Sequence, residues 1–338
     1  MTQYVIKRIL LFIPTLIIIT IITFCVCRLA PGDPTEMKIG ATGESQKTDA
    51  KNLINETTKQ YYKQKFGLDK PLYQQYFIWI GNMLKGDFGN SFKDNRPVID
   101  KIVERIPITL GMNLVSFFLI YLIAVPIGIY SAAKQYSFTD RLTTVILFIL
   151  YSLPNFWVAT LAIVFLCNVE YVKIFPTSGI KSLTYDSMTF FEQMKDRFMH
   201  FFLPITVLSL GSFAFISRQM RSSMLEVIRQ DYIRTARAKG LSERKVILKH
   251  ALRNSLIPIL TLLGGILPAM VGGSFIIEQI FSIPGVGQLA VQAIFDRDYP
   301  VIMAELFLVS FLTVIGILIV DILYSIADPR IAFSQKTA

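Results

Sequence analysis

Asp231-Tyr-Ile-Arg-Thr-Ala-Arg-Ala-Lys-Gly240, continued by Leu-Ser-Glu-Arg-Lys-Val-Ile-Leu-Lys-His250 and Ala-Leu-Arg-Asn-Ser-Leu-Ile-Pro258, lies between two apolar runs in the second half of the chain. Its pattern reads as helix, glycine break, helix. Ala236 and Ala238 are small enough for close approach to a neighbour. Gly240 is suited to a positive φ that ends the first helix. Ser242 is placed to cap the second, with Glu243 in its first turn. The residues alone leave two readings open: a short helix lying across a membrane face and projecting from it, or a solvated basic loop resting on anionic lipid.

Outward from this stretch, the surrounding segment 217–254 carries ten Lys or Arg against three acids, Glu226, Asp231 and Glu243. It is flanked by apolar runs, and the whole chain has the same character. Of its 338 residues 53% are hydrophobic and only 17% charged, against about 25% charged in soluble domains. The mean hydropathy is +0.50. The net charge of +10 would suggest nucleic acid in a soluble protein. Concentrated beside apolar runs, it indicates a cytoplasmic membrane-protein loop instead, with membrane lipid rather than nucleic acid as its neighbour.

Six runs are long enough to cross a bilayer core of about 30 Å, which takes about 20 helical residues. They are 9–30, 108–130, 142–167, 201–217, 256–278 and 304–326. The first follows Lys7 and Arg8. Its length, and the lack of a small-x-small site after it, make it a retained helix rather than a signal peptide. The fourth is the shortest and contains Pro204 and Gly211; Pro126, Pro154 and Pro268 also fall inside spans, where neighbouring helices can satisfy the freed backbone. Gly264, Gly265, Gly272 and Gly273 would allow helices to approach closely in the fifth. The short loops alternate in charge. Lys134 and Arg141 sit in 131–141, four charges of each sign lie in 168–200, and Arg297 between Asp296 and Asp298 is in 279–303. Basic loops inside give both termini a cytoplasmic position. The fold class expected is an all-α membrane protein with six transmembrane helices. Its segments are an N-terminal helix (1–30), a large extracytoplasmic segment (31–107), a core (108–326) and a cytoplasmic tail (327–338). Within the extracytoplasmic segment, Leu72, Tyr76, Trp79, Ile80, Met83 and Leu84 recur at helical spacing and predict an amphipathic helix over 72–84. The polar residues 41–60 read as a mobile insertion.

Enzyme chemistry finds little to work with. There is no Gly-x-x-x-x-Gly-Lys-Ser/Thr loop, no His-Glu-x-x-His and no Gly-x-Ser-x-Gly elbow, which removes the phosphate cradle, the zinc-protease helix and the serine-hydrolase turn. The acids near the spans, Glu278, Glu305 and Asp321, lie at predicted span ends, whereas a proton-driven carrier would need deeper ones. Cys25, Cys27 and Cys167 fall in or beside apolar runs and read as buried or lipid-facing thiols. No catalytic and no metal-ligating residues are expected.

The basic stretch resembles the EAA loop of ABC importer permeases, in the form used by the oligopeptide, dipeptide and nickel permease family. Further motifs carry the resemblance in order along nearly the whole chain. Arg28-Leu-Ala-Pro-Gly-Asp-Pro34 is similar to the end of that family's first span. Phe66-Gly-Leu-Asp-Lys-Pro-Leu72 and Gly86-Asp-Phe-Gly-Asn-Ser91 are similar to its outer segment. Phe281-Ser-Ile-Pro-Gly-Val-Gly-Gln288 and Asp298-Tyr-Pro300 are similar to the loop before its last span, and Asp321-Ile-Leu-Tyr324 with Asp328-Pro-Arg330 to its ending. The general Glu-Ala-Ala start is replaced here by Arg234-Thr235-Ala236, and the later Ile and Pro of the pattern by His250 and Arg253.

The resemblance implies the type I ABC importer permease fold and a non-enzymatic translocation subunit for di- or oligopeptides, with nickel or another small solute, or a stand-alone secondary carrier, as alternatives. It implies a homologous second permease, two ABC ATPase subunits and an extracytoplasmic solute-binding protein as partners. ATP and magnesium would sit on the ATPases, with no cofactor on this chain. Asp231, Arg234, Thr235, Ala236, Lys239 and Gly240 would contact the ATPase. The loop with Pro284, Gly285 and Gly287 would face the binding protein, or simply form a tight turn. Asn113 and Asn155 are candidates either for lining the translocation path or for hydrogen bonds between helices.

Overall fold

The computed structural model describes residues 2–29, 69–262, 269–270 and 272–327. The described residues fall into two compact units. One takes the described residues within Met1–Pro107, Leu289–Leu318 and Tyr324–Ala338, the other those within Ile108–Gln288 and Ile319–Leu323.

The first unit contains α1 (Thr2–Leu29) and α2 (Leu72–Leu84). α1 leaves Leu10, Ile13, Ile17 and Ile18 exposed and buries Thr20, Phe24 and Cys27. An outward apolar surface with a thin inner stripe is what a lipid-facing helix requires. α2 has the predicted bounds but a shifted face. Its inner side is Gln75, Tyr76, Trp79 and Met83, while Leu72 and Leu84, at the first and last positions, stay exposed. The Phe24 ring lies 5.5 Å from that of Tyr76 and 5.8 Å from that of Trp79, and the Thr20 and Tyr76 hydroxyls are 3.0 Å apart. The unit also holds the start of α3 (Val98–Ala133), then α12 (Val286–Phe295) for its part from Leu289, and most of α13 (Tyr299–Ala327). Val98 and Ile102 pack with Leu289, Ala293, Val301 and Ala304. α12 corrects the reading of 279–303 as a plain loop.

Asp298, 2% exposed, ties this unit together. Its carboxylate accepts the Ser91 hydroxyl and the Phe92 N–H at 2.7 Å. Lys101 donates to Ser91 Oγ and to Asp94, both at 2.9 Å. Two separate sequence motifs, Gly86–Ser91 and Asp298–Pro300, thus meet in one polar cluster.

The second unit holds the rest of α3, then α4 (Phe138–Ser152), α5 (Asn155–Leu166), α6 (Phe190–Ile228), α7 (Asp231–Ala238), α8 (Glu243–Lys245), a π-helical turn (Val246–Ala251), α9 (Leu252–Ser255), α10 (Ile257–Thr261) and α11 (Phe275–Ile280). Met112, Leu203, Val207, Ile277 and Ile283 form one apolar core and Ala132, Met220, Met224, Ile233, Val246 and Ile259 another.

Among the described residues four helices are long and apolar enough to cross a membrane, and five if α4 and α5 count as one broken span. The expected third span, 142–167, is bent by 93° between them. Leu153 takes extended angles (φ −81°, ψ 125°) ahead of Pro154. A proline pushes the preceding residue out of the helical region and itself offers no N–H, so the helix must restart beyond it. The expected fourth span, 201–217, lies inside a much longer helix. α6 has 39 residues, starting where the Glu192 carboxylate accepts the Thr189 N–H at 2.9 Å, a cap that the hydropathy pattern hides. The fifth, 256–278, is described only in pieces, and Gly264 and Gly265 lie outside the described residues, as does the 41–60 insertion.

The start of α4 is fastened to α6 by an ion pair. Asp140, 3% exposed, accepts Nε of Arg221 at 2.8 Å and a second guanidinium nitrogen at 2.9 Å. It also accepts the Tyr136 N–H at 3.0 Å, while its own N–H donates to the capping Ser137 hydroxyl at 3.2 Å.

Candidate coupling site

α7 lies against the second unit through two residues, Ile233 and Ala236, which pack among Ala132, Met220, Met224, Val246 and Ala251. The opposite face is open. The side chains of Asp231 and Arg234 are 95% and 73% exposed and sit 3.5 Å apart. The Thr235 hydroxyl donates to the Asp231 carbonyl at 3.0 Å, and Thr235, Lys239 and Gly240 are exposed. Ala236 is the exception among the six residues expected to touch an ATPase. At 7% exposed it faces the chain's own core and serves as the small contact that lets α7 sit close, so the outward set is Asp231, Arg234, Thr235, Lys239 and Gly240.

The joint after α7 is built as the glycine suggested. Gly240 has φ +75°, and its N–H donates to the Arg237 carbonyl at 2.9 Å. Ser242 occupies the N-cap position of α8, but its hydroxyl makes no capping bond. Its carbonyl accepts the Val246 N–H at 3.1 Å instead, which corrects the expected side-chain cap. Two clasps span the break. Arg237 donates to both carboxylate oxygens of Glu243, at 3.1 and 2.6 Å, and Asn254 Nδ2 donates to the Tyr232 hydroxyl at 2.8 Å. The Arg237 hydrogen bond holds the Glu243 carboxyl below the usual range, and Glu243 raises Arg237 in turn. Helix, joint and following helix therefore form one braced piece rather than a loose basic loop.

Pro284, Gly285 and Gly287, expected to face a binding protein or simply to form a tight turn, enclose a buried acid. Gly285 and Gly287 are buried, wrapped round the Glu278 carboxylate, which is 0% exposed. That carboxylate accepts the Thr109 hydroxyl at 3.1 Å, the Ser274 N–H at 3.3 Å and the Gln288 N–H at 2.7 Å. Thr109 Oγ1 in turn accepts the Val286 N–H at 2.9 Å. A Cβ on Gly285 would lie 2.3 Å from the carboxylate carbon, so only glycine admits the acid here. Nothing in the sequence marked Glu278 as more than an acid near a span end. Its donors come from positions as far as 169 residues away.

Asn113 donates to the Ala269 carbonyl at 2.8 Å, the interhelical alternative of its two readings. Asn155 is the exposed first residue of α5, with its Oδ1 3.8 Å from the point a Cβ on Gly211 would occupy.

A multi-pass helical membrane protein with a braced, outward-facing helix between two of its long apolar segments is the class that these observations define. Residues 124–333 match the family described as "Binding-protein-dependent transport system inner membrane component", and residues 1–113 its N-terminal companion. The chain is 43% identical to "Oligopeptide transport system permease protein AppB" of Bacillus subtilis, over 98% of this chain and 100% of that protein. It is 37% identical to "Di/tripeptide transport system permease protein DppB" of Pseudomonas aeruginosa, over 98% and 99%, and 36% identical to "Glutathione transport system permease protein GsiC" of Shigella flexneri, over 98% and 100%. A chain of the MetNI methionine ABC transporter in inward-facing conformations aligns with 66% of this chain and 96% of its own length, at 20% identity and a TM-score of 0.49. The chain belongs to the binding-protein-dependent transport system inner membrane component family: it is a multi-pass permease subunit of an ABC transporter.

Proposed function

We propose that this chain is the translocation subunit of an ATP-driven importer that brings di- or oligopeptides across the cytoplasmic membrane. The relatives' names share peptide cargo, and full-length identities of 36 to 43% support the same cargo class here. The assembly would comprise this chain, a homologous second permease, two ATPase subunits carrying ATP and magnesium, and an external solute-binding protein. The chain would have six spans and both termini in the cytoplasm, with segments 1–30, 31–107, 108–326 and 327–338 as helix, outer segment, core and tail.

The observation that carries the coupling role is the two-faced α7. Its inner face is locked into the bundle by Ile233 and Ala236 while Asp231, Arg234, Thr235 and Lys239 point away. A helix fixed rigidly to the bundle and presenting charge outward can transmit a push. When ATP closes the ATPase pair, the helix docked in its groove moves as one body with α8, α9 and α6. Coupling of this kind requires a two-state element that both sites bias, here the bundle with its inward- and outward-open arrangements.

The test is uptake of labelled peptide into proteoliposomes holding the complete assembly, with topology read by maleimide labelling of an Arg234→Cys variant in intact cells. ATP-dependent uptake, with position 234 shielded until the cells are opened, is expected. Uptake that persists without the ATPase subunits, or labelling of position 234 from outside, refutes the proposal.

A further inference from the structure

The broken span leaves an unusual surface in the second unit. α4 stops at Ser152 and α5 restarts at Asn155 at 93° to it. Among the described residues no donor reaches the carbonyl oxygens of Ser152 and Leu153. Irregular backbone at membrane depth is tolerated where protein buries it or where it borders water, and Tyr151, Ser152's neighbour, and Asn155 are both exposed in this chain. From the break, one face of α6 runs away in helical register: Gly211 beside Asn155, then Phe215, then Arg218. Seven residues of helix cover about 10 Å, roughly the reach of three extended peptide residues.

At the far end of that face is a cavity of about 150 Å³ lined by Phe148, Tyr151, Phe215, Ser217, Arg218 and Arg221 among others. The two arginines differ in state. Arg221 is held on both oxygens of Asp140, so its charge is matched within the fold. Arg218, one turn earlier, is exposed and forms no ion pair or hydrogen bond among the described residues. Ser217, which also lines the cavity, is buried at 2% exposure. The cavity therefore offers one positive charge not matched by an acid among the described residues, at the end of an aromatic wall. A planar guanidinium is the side chain best matched to two-point recognition of a carboxylate.

We infer that the face of α5 and α6 from Asn155 to Arg218 borders the cargo path, and that Arg218 receives the C-terminal carboxylate of the peptide as it passes. The inference rests on the peptide-importer reading above and names the residue that reads the cargo's charge within it.

The experiment compares trialanine with its C-terminal amide, each radiolabelled, in proteoliposomes of the complete assembly. The readout is the ratio of acid to amide uptake, in wild type and in Arg218→Gln and Arg218→Lys variants. Taking the ratio cancels the preference of the external binding protein, which is the same in all three. Arg218→Gln is expected to lower the acid-to-amide ratio about tenfold, the size of one charge-assisted hydrogen bond lost, and Arg218→Lys to restore most of it. A ratio unchanged in Arg218→Gln overturns the inference while peptide uptake by the wild type leaves the importer reading standing. If, in addition, the variant complex retains less phosphatidylglycerol on purification, Arg218 belongs to a lipid contact instead. Wild-type assemblies that accumulate neither peptide refute both readings.

Discussion

Replacing Gly240 isolates one physical term in the joint between α7 and α8. The residue sits at φ +75°, and a Cβ built on it meets no atom within 4 Å. Alanine there suffers no collision, so its whole cost is the left-handed backbone, about 1–2 kcal/mol for an ordinary L-residue. Asparagine, whose short polar side chain tolerates that region, should recover most of the loss. Valine, β-branched, should sit at or above the upper end. A shift of 1–2 kcal/mol changes the ratio of braced to displaced joint by about 5- to 30-fold. Relaxing φ at 240 swings α8 away from α7 and opens the Arg237–Glu243 and Asn254–Tyr232 clasps. The assay is binding-protein-stimulated ATP hydrolysis and peptide uptake measured side by side on reconstituted complex. The expected order of coupling is Gly, Asn, Ala, Val, with Val hydrolysing ATP out of proportion to uptake. Wild-type coupling in Gly240→Val, or Asn no better than Val, would show that the backbone angle is not what the joint depends on.

Other consequences follow from the buried charges. Gly285→Ala forces a methyl group into a carboxylate that is held from three sides and cannot withdraw without losing bonds. We expect a loss of about 1–3 kcal/mol, seen as a lower melting temperature in detergent, while Gly81→Ala, in open space on α2, should be neutral or slightly stabilising. Asp140→Ala leaves Arg221 and the Tyr136 N–H without their acceptor and should cost about 3–5 kcal/mol; the pair Asp140→Leu with Arg221→Met should be markedly less damaging than Asp140→Ala alone. The Arg237–Glu243 pair is mostly solvent-exposed and should be worth only about 0.2–1 kcal/mol. Because the Glu243 carboxyl is depressed in the folded state, that contribution is present above the ordinary glutamate range and disappears as pH falls through the depressed value. Thermal melts of Glu243→Gln should therefore differ from wild type at pH 7 and converge with it as pH falls through that depressed value.

Class, membrane residence and the position of α7 were all written in one dimension. Long apolar runs need only length to cross a bilayer, and Asp231–Gly240 needs only local helical spacing and a glycine to form a helix and end it. The same holds for α2, whose bounds follow from its own periodicity. What lay beyond the sequence were contacts between residues distant in the chain and features that hydropathy averages away. Ala236 could be read as small, but not as inward-facing, until Met220, Met224 and Val246 closed over it. Glu278 looked like a terminal acid until Thr109 and Gln288 came to it, and its glycines looked like a surface turn until the carboxylate filled them. The Thr189–Glu192 cap extended α6 well past its apolar core, because a polar first turn can be helical without being hydrophobic. Composition decides which solvent a segment prefers, and that is additive along the chain. Which buried charge meets which donor depends on packing, and that exists only once the helices have come together.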